Sequence, residues 1–194
     1  RLHRITYVGE LGFEIYIPYN NLEKVFDVVY AKNGKSPVKL AGYHALNSLR
    51  MEKGYLHWGH DIGVEENPFE AGVGFCVNLN KKNSFLGQAA LEEKKKSGLS
   101  KRKVNFALSN NDLLIYYNEP IYFDGKIVGE ISSGMYGFYL DKSLGMGYIS
   151  NNDSYSVEEM MSHQKFEIEV AETKYFAEGS INCFYDPGRE KILV

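Results

Sequence analysis

Short apolar runs separated by polar turns characterise the first hundred residues of this chain. Residues 4–8 and 13–17 alternate apolar and polar side chains, and they predict two strands joined by the turn Gly9-Glu10-Leu11-Gly12. The apolar positions of residues 22–29 follow helical spacing, and Gly34 is placed to end that helix. The chain is therefore expected to open with a hairpin and a helix.

The remainder of the first half contains both strand-like and helix-like segments. Residues 38–40 predict a short strand, and residues 41–53 predict a helix that ends before Gly54. The apolar run at 72–79 predicts another strand, and the charged segment 88–96 predicts a third helix. This half is expected to be a mixed helix and strand domain.

From about residue 100 the pattern changes to short strands with turn signals at regular intervals. The strand candidates are residues 104–108, 126–131, 145–149 and 165–170. Asp124-Gly125 is a hairpin signal, and the one helical run of this half lies near 157–161. Regular strand spacing is typical of a small barrel or sandwich. We place a domain boundary at the Gly98-Leu99-Ser100 segment, which gives domains at 1–98 and 99–194.

Composition narrows the class of protein. The 194 residues carry 22 Lys and Arg against 25 Asp and Glu, and the formal net charge of −3 does not favour nucleic acid as a partner. No apolar run is long enough to predict a membrane span, so we expect no membrane association. Cys76 and Cys183 lie in apolar runs without metal-type spacing, which predicts buried free thiols in a reducing compartment.

Three candidate sites, two single residues and one cluster, could bind a ligand or a metal, and each also has a structural interpretation. Glu10 lies between glycines at a turn, where its carboxylate could accept two parallel hydrogen bonds or simply face solvent. Arg50 lies late on a helix, where it could bind a carboxylate or stabilise the helix end. His57, His60 and Asp61 could hold a divalent metal, although the intervening Gly59 favours an irregular structural or substrate-lining loop.

Several ordered blocks together resemble the glycine-cleavage T-protein (aminomethyltransferase) family. The blocks are Tyr7-Val8-Gly9-Glu10-Leu11-Gly12-Phe13-Glu14-Ile15-Tyr16-Ile17-Pro18, Ser48-Leu49-Arg50-Met51-Glu52-Lys53-Gly54-Tyr55, Trp58-Gly59-His60-Asp61, Glu70-Ala71-Gly72-Val73-Gly74-Phe75 and Phe184-Tyr185-Asp186-Pro187. The motif variants are more similar to the folate-binding portion of sarcosine and dimethylglycine dehydrogenases than to the stand-alone T-protein. The resemblance implies an α+β fold, in which part of a folate-binding domain is followed by a small antiparallel β-barrel.

The resemblance also implies a tetrahydrofolate site. Glu10 would accept hydrogen bonds from the 2-amino group and ring N–H of the pterin, and Arg50 would hold the carboxylate tail or orient Glu10. Tyr7 and Trp58 would flank the ring, and Arg189 would be a basic position near the C-terminus. Folate would then accept a one-carbon unit brought close to its amines by a small methylated amine or an aminomethyl carrier.

One departure from the family bears on activity. The family's catalytic aspartate belongs to an amino-terminal part that would precede Tyr7, so we expect no catalytic residue in this chain and no turnover by it alone. The natural start is expected to lie upstream, and FAD would be needed only if an oxidoreductase domain is fused there. An apolar face left uncovered would favour homo-oligomers.

Three function classes follow. The first is a folate-dependent one-carbon transfer module, from an aminomethyltransferase or a demethylating dehydrogenase, in the cytoplasm or the mitochondrial matrix. The second is a non-catalytic regulatory or binding module that keeps the same fold. The third is a metal-dependent hydrolase built on His57, His60 and Asp61, which is disfavoured because Gly59 makes the spacing irregular and no other His or Cys lies nearby in the sequence.

Overall fold

A computed structural model describes residues 1–30 and 38–193 of the chain. Gly34, the predicted end of the first helix, lies outside these residues. The elements that precede the barrel are β1 Leu2–His3, β2 Glu14–Ile15, α1 Leu22–Tyr30, α2 Tyr43–Glu52 and α3 Gln88–Ser97. Short 3-10 turns at Tyr19–Asn21 and Gly74–Cys76 interrupt the loops. The three predicted helices are thus confirmed within one to two residues at the ends that the structure describes.

The predicted strands of this first half are mostly wrong. The hairpin pairs only Leu2 with Ile15 and His3 with Glu14, so residues 4–8 are not a strand. The backbone N–H of Val8 donates to the hydroxyl of Thr6, and such local bonds compete with a sheet ladder. Residues 38–40 form no strand either.

The apolar run 72–79 is also not a strand. Gly72 has a φ of +77°, and the 3-10 turn that follows packs Gly74 against the ring of Phe69. A left-handed residue breaks the extended conformation that a strand requires. Cys76 is consequently exposed rather than buried, and Cys183 is half-buried in the loop after the last strand.

The second half of the chain forms a closed six-stranded antiparallel barrel, as the resemblance implied. Its elements are β3 Lys101–Leu108, β4 Pro120–Phe123, β5 Lys126–Gly137, β6 Lys142–Ser150, α4 Val157–His163, β7 Phe166–Val170 and β8 Thr173–Ser180, and α5 Glu190–Leu193 follows. The strand order is β3-β6-β5-β4-β7-β8, and β8 pairs with β3 to close the ring. Asp124 and Gly125 both have positive φ, which confirms the predicted hairpin turn.

The barrel interior is the main core of the molecule. Its centre is built from aromatic rings, with Phe106, Phe123 and Phe166 fully buried and packed edge to face. A second apolar cluster lies outside the barrel, where Met51 of α2 packs against Ala107, Leu144 and Met146. Through this contact α2 is fixed to the outer face of β3 and β6.

Apolar side chains of the first half stay uncovered in this structure. On α1, Leu22 and Phe26 are about half exposed and Val28 is mostly exposed. Leu86 and Phe75 are likewise exposed on the following loops. Exposed apolar surface of this kind is compatible with the expected self-association, which stays a prediction. Within the described residues, no helix has the length and apolarity to cross a membrane.

Gly134 should tolerate no side chain, because β5 passes against a neighbouring backbone at this point. An added Cβ would lie 2.0 Å from the carbonyl oxygen of Ile115, which is itself fully buried. We expect Gly134→Ala to lower the free energy of unfolding by about 1–3 kcal/mol through overpacking. Urea denaturation measures this loss. Gly188→Ala is the control, since its Cβ would meet only ordinary contacts at 3.8 Å, and an equal loss in both variants would contradict the prediction.

Candidate functional site

A buried ion pair connects the second helix to the loop at residues 57–61. The Arg50 guanidinium donates to Asp61 Oδ2 at 2.6 Å, and it also donates to Asn47 Oδ1, the Tyr55 carbonyl and Ser133 Oγ. Arg50 is 4% exposed, so its side chain is enclosed by these partners. Arg50 therefore links α2 to the loop that contains Asp61 and to Ser133 on strand β5 of the barrel.

Asp61 is the last residue of the His57-Trp58-Gly59-His60-Asp61 loop, and its carboxylate holds the loop together. Its carboxylate accepts from the backbone N–H of His57 at 2.9 Å and from Ser132 Oγ at 2.6 Å, in addition to Arg50. In the described part of the chain no three His, Cys, Asp or Glu side chains are grouped so that they could hold a metal ion. Trp58 projects from this loop and is 69% exposed. Asp61 therefore anchors the loop, and the loop carries the exposed side chain of Trp58.

A cavity of about 700 Å³ lies between the first half of the chain and the outer face of the barrel. Tyr7 and Tyr55 form an aromatic wall, with nearly parallel rings whose centroids are 6.1 Å apart. The phenol of Tyr7 donates to the Leu56 carbonyl at 2.9 Å, and burial raises the pKa of that phenol. Four basic side chains also line the cavity: Lys53, Arg102, Lys103 and Arg189. Among its described lining residues there is no aspartate or glutamate.

Two of these basic residues, Lys53 and Lys103, are buried and differ in the charge of their hydrogen-bond partners. Lys53 Nζ donates to Asp186 Oδ2 at 2.7 Å and to the Asp186 carbonyl at 2.6 Å. The bond from Lys53 holds the pKa of the Asp186 carboxyl below its usual value. Lys103 Nζ instead donates to the neutral amide of Asn105 at 3.0 Å, and burial lowers its pKa to about 8. The cavity thus contains one ion-paired lysine and one lysine with a neutral partner.

Arg102 and Arg189 complete the basic lining. The Nε atom of Arg102 is buried and has no hydrogen-bond partner within the described residues. The guanidinium of Arg189 lies 5.4 Å from the centre of the Phe75 ring. An unpartnered buried donor is unusual in a folded protein.

Glu10 lies beside this cavity rather than in its lining. The preceding residue, Gly9, packs against the aliphatic stem of Lys53, and the following Leu11 lines a second cavity of about 310 Å³. The two cavities share Thr6, Tyr55, Ile192 and Leu193. The carboxylate of Glu10 accepts a hydrogen bond from Tyr185, which raises the pKa of that phenol to about 12.

The structure brings together only part of the predicted site. Tyr7 and Arg189 line the large cavity, and Glu10 adjoins it through Gly9. Arg50 and Trp58 are not among its lining residues. Sequence analysis missed Lys53, Arg102 and Lys103, together with Asn105, which orients the Lys103 amine. The available signal was a run of polar residues, 101–103 and 105, in a strand whose other side chains fill a core.

Comparison with known proteins gives two family matches. The model of the GCVT N-terminal domain matches residues 1–81, and the model of the glycine cleavage T-protein C-terminal barrel domain matches residues 101–186. A crystal structure of the glycine cleavage system aminomethyltransferase T from Bartonella henselae superposes with a TM-score of 0.78 at 24% identity. It covers 98% of this chain and 50% of that protein, which confirms the fold.

Two curated relatives cover nearly the whole chain. Human mitochondrial sarcosine dehydrogenase is 32% identical over 99% of this chain, and the mouse mitochondrial pyruvate dehydrogenase phosphatase regulatory subunit is 33% identical over 98%. The aligned region is 21% of the first relative and 23% of the second. The chain therefore spans about a fifth of the length of these relatives.

Proposed function

The chain belongs to the glycine-cleavage T-protein family, and we propose that it is a tetrahydrofolate-binding module for one-carbon transfer. The observation that carries this proposal is the large cavity with its aromatic wall. Its described lining residues include four basic side chains and no aspartate or glutamate. A reduced folate combines a flat heteroaromatic ring with a tail of carboxylates. An aromatic wall favours the ring, and an excess of cations favours the tail.

The proposed roles follow from where each side chain lies. Tyr7 and Tyr55 would pack on the ring system, and Arg102 and Arg189 would bind carboxylates of the tail. Glu10 would exchange its bond from Tyr185 for the paired N–H donors of the pterin. Trp58, being exposed, would cover the bound ligand from the side of its loop.

Arg50 would serve this site indirectly. Its guanidinium fixes Asp61 and the Tyr55 carbonyl, so that it would hold Tyr55 in place against the cavity. The proposed role of Arg50 is therefore to position the aromatic wall.

The proposed activity is transfer to folate of a one-carbon unit from a small methylated amine or an aminomethyl carrier. The described residues offer binding groups, and the chain alone is expected to bring about no turnover. FAD would enter only through a further domain of a longer protein. Formation of methylenetetrahydrofolate by the isolated chain would contradict the expected lack of turnover.

Loss of the Glu10 charge should weaken folate binding. We expect Glu10→Gln to raise the Kd for 5-formyltetrahydrofolate by about 10- to 100-fold, since a hydrogen bond to a charged group contributes about 1.5–3 kcal/mol. Isothermal titration calorimetry on the parent chain and the variant measures this change. Glu14→Gln is the matched control, because Glu14 also accepts from a tyrosine hydroxyl, that of Tyr16 at 2.7 Å, but lies on the hairpin strand.

The second candidate function is a regulatory or binding module without folate. It is favoured by the extensive identity to the regulatory subunit of pyruvate dehydrogenase phosphatase. Equal affinity of the parent and Glu10→Gln would refute the proposed role of Glu10. Absence of binding by the parent would refute the folate site in this chain and favour the regulatory module.

A further inference from the structure

Lys103 is a buried amine that the proposed folate site does not use. It lies on β3, where Val104 and Phe106 point into the barrel core and Lys103 and Asn105 point outward. The residue is 6% exposed, yet it lines the large cavity between the barrel and the first half of the chain. Lys103 is thus largely removed from bulk water while it forms part of the cavity wall.

The partner of Lys103 is neutral and rigidly held. Asn105 Oδ1 accepts from Lys103 Nζ, while Asn105 Nδ2 donates to the carbonyls of residues 180–182, the shortest bond being 2.9 Å to Asn182. These bonds fix the amide so that its oxygen faces the lysine. Gly54, with a φ of +68°, passes against the same oxygen, and an added Cβ would lie 3.1 Å from it.

No carboxylate of the described residues lies within ion-pair distance of Lys103 Nζ. Of the groups that interact with it electrostatically, Asp61 and Cys183 favour the charged amine and Arg102 disfavours it. Asp61 is itself paired with Arg50 at 2.6 Å. Burial outweighs these interactions and lowers the pKa of Lys103 to about 8, which leaves a usable fraction of neutral amine near neutral pH.

We propose that Lys103 is a nucleophilic amine that condenses with a small carboxylate-bearing aldehyde in the large cavity. The cationic side chains of Arg102 and Arg189, which both line the cavity, would hold the carboxylate. This function does not depend on Glu10, but it uses the same cavity and the same two arginines as the proposed folate tail, so the two ligands would compete.

The reaction is a condensation without any change of oxidation state. The lone pair of the neutral Lys103 Nζ attacks the carbonyl carbon, a C–N bond forms, and the carbonyl π electrons move to oxygen, which takes up a proton. The carbinolamine then loses water as nitrogen gives up its protons and forms the C=N bond. The product is an imine on Lys103, and water is the sole by-product.

Reductive trapping with glyoxylate tests the proposal. The parent chain is incubated with glyoxylate and cyanoborohydride at pH 7, and the carboxymethylated lysines are quantified by peptide mass spectrometry. We expect Lys103 to be modified at least tenfold faster than Lys53, the ion-paired lysine of the same cavity, and faster than the exposed Lys126. This comparison needs no variant and does not depend on the folding of a mutant.

Three further arms sharpen the result. Lys103→Met should remove the fast modification and leave the other lysines unchanged, and Asn105→Asp should slow it by giving the amine a charged partner. Acetaldehyde, which lacks a carboxylate, should react with Lys103 more slowly than glyoxylate does. Modification of Lys103 no faster than that of Lys53 would overturn the proposal, and equal rates for the two aldehydes would overturn the role of the cations.

Discussion

Arg50→Ala is expected to lower the free energy of unfolding by about 3–5 kcal/mol, because it would leave the carboxylate of Asp61 buried without its cation. The Asp61 side chain has no solvent exposure, and its remaining donors would be the His57 N–H and Ser132 Oγ. Two neutral hydrogen bonds do not replace a guanidinium in a site closed to water. Chemical denaturation followed by circular dichroism measures the change.

Two other variants show whether the unpaired charge is the cause. Lys165→Ala breaks an exposed pair with Asp124 at 3.5 Å and should cost less than about 1 kcal/mol. The double variant Arg50→Met with Asp61→Leu should cost less than Arg50→Ala alone, since it leaves no buried charge. If Arg50→Ala were no more damaging than Lys165→Ala, the pair would not contribute to stability in the proposed way.

Lys103→Met is expected to stabilise the protein, by up to about 3 kcal/mol at pH 7. Burial lowers the pKa of Lys103 from 10.5 to about 8, and each pKa unit corresponds to about 1.4 kcal/mol between the folded and unfolded states. Methionine fills a similar volume without a charge to desolvate. Urea denaturation at pH 7 gives the difference between the two proteins, and Lys126→Met on the exposed hairpin should change stability by less than about 0.5 kcal/mol.

The stabilisation should vanish as the pH rises. Between pH 8 and 10.5 the unfolded amine binds more protons than the folded one, so the stability of the parent rises relative to the variant in this window. Tyrosines with raised pKa, such as Tyr185, act in the opposite direction but are present in both proteins and cancel in the difference. A constant difference from pH 7 to 10.5 would show that the amine is not perturbed, which would also remove the chemical basis of aldehyde capture.

Local signals in the sequence predicted the helices and four of the six barrel strands, whereas β4 and β8 were not among the strand candidates and the barrel itself followed from the family resemblance. Helical spacing of apolar residues marks α1, and the structure shows why the helical run near residue 157 begins there, since Ser156 and Glu159 form a capping box. Asp124-Gly125 supplies the positive φ angles that a tight hairpin requires. These features depend on neighbours within a few residues, and a single sequence contains that information.

The strand predictions for the first half were wrong because the conformation of these segments depends on contacts that the local sequence pattern does not contain. An apolar run such as 72–79 can be a strand or a loop, and the outcome depends on Gly72 and on the packing of Gly74 against Phe69. The cavity was harder still, because it joins Tyr7, Lys53 and Lys103 from three distant segments. Family resemblance supplied Tyr7 and Arg189, whereas burial of Lys103 becomes visible only once the barrel face and the loops that line the cavity are together.

Closure of the barrel joins strands that are far apart in the chain. Asn105 on β3 pairs with Ser180 on β8, 75 residues later, and its amide also binds the carbonyls of residues 180–182. Contacts of such high sequence separation form late, because the intervening chain must first lose its freedom. During synthesis the wall around Lys103 therefore cannot exist until β8 has been made, and β3 is left as an open sheet edge in the interval. A chain that lacks β8 would therefore also lack the backbone carbonyls that hold the Asn105 amide against the Lys103 amine.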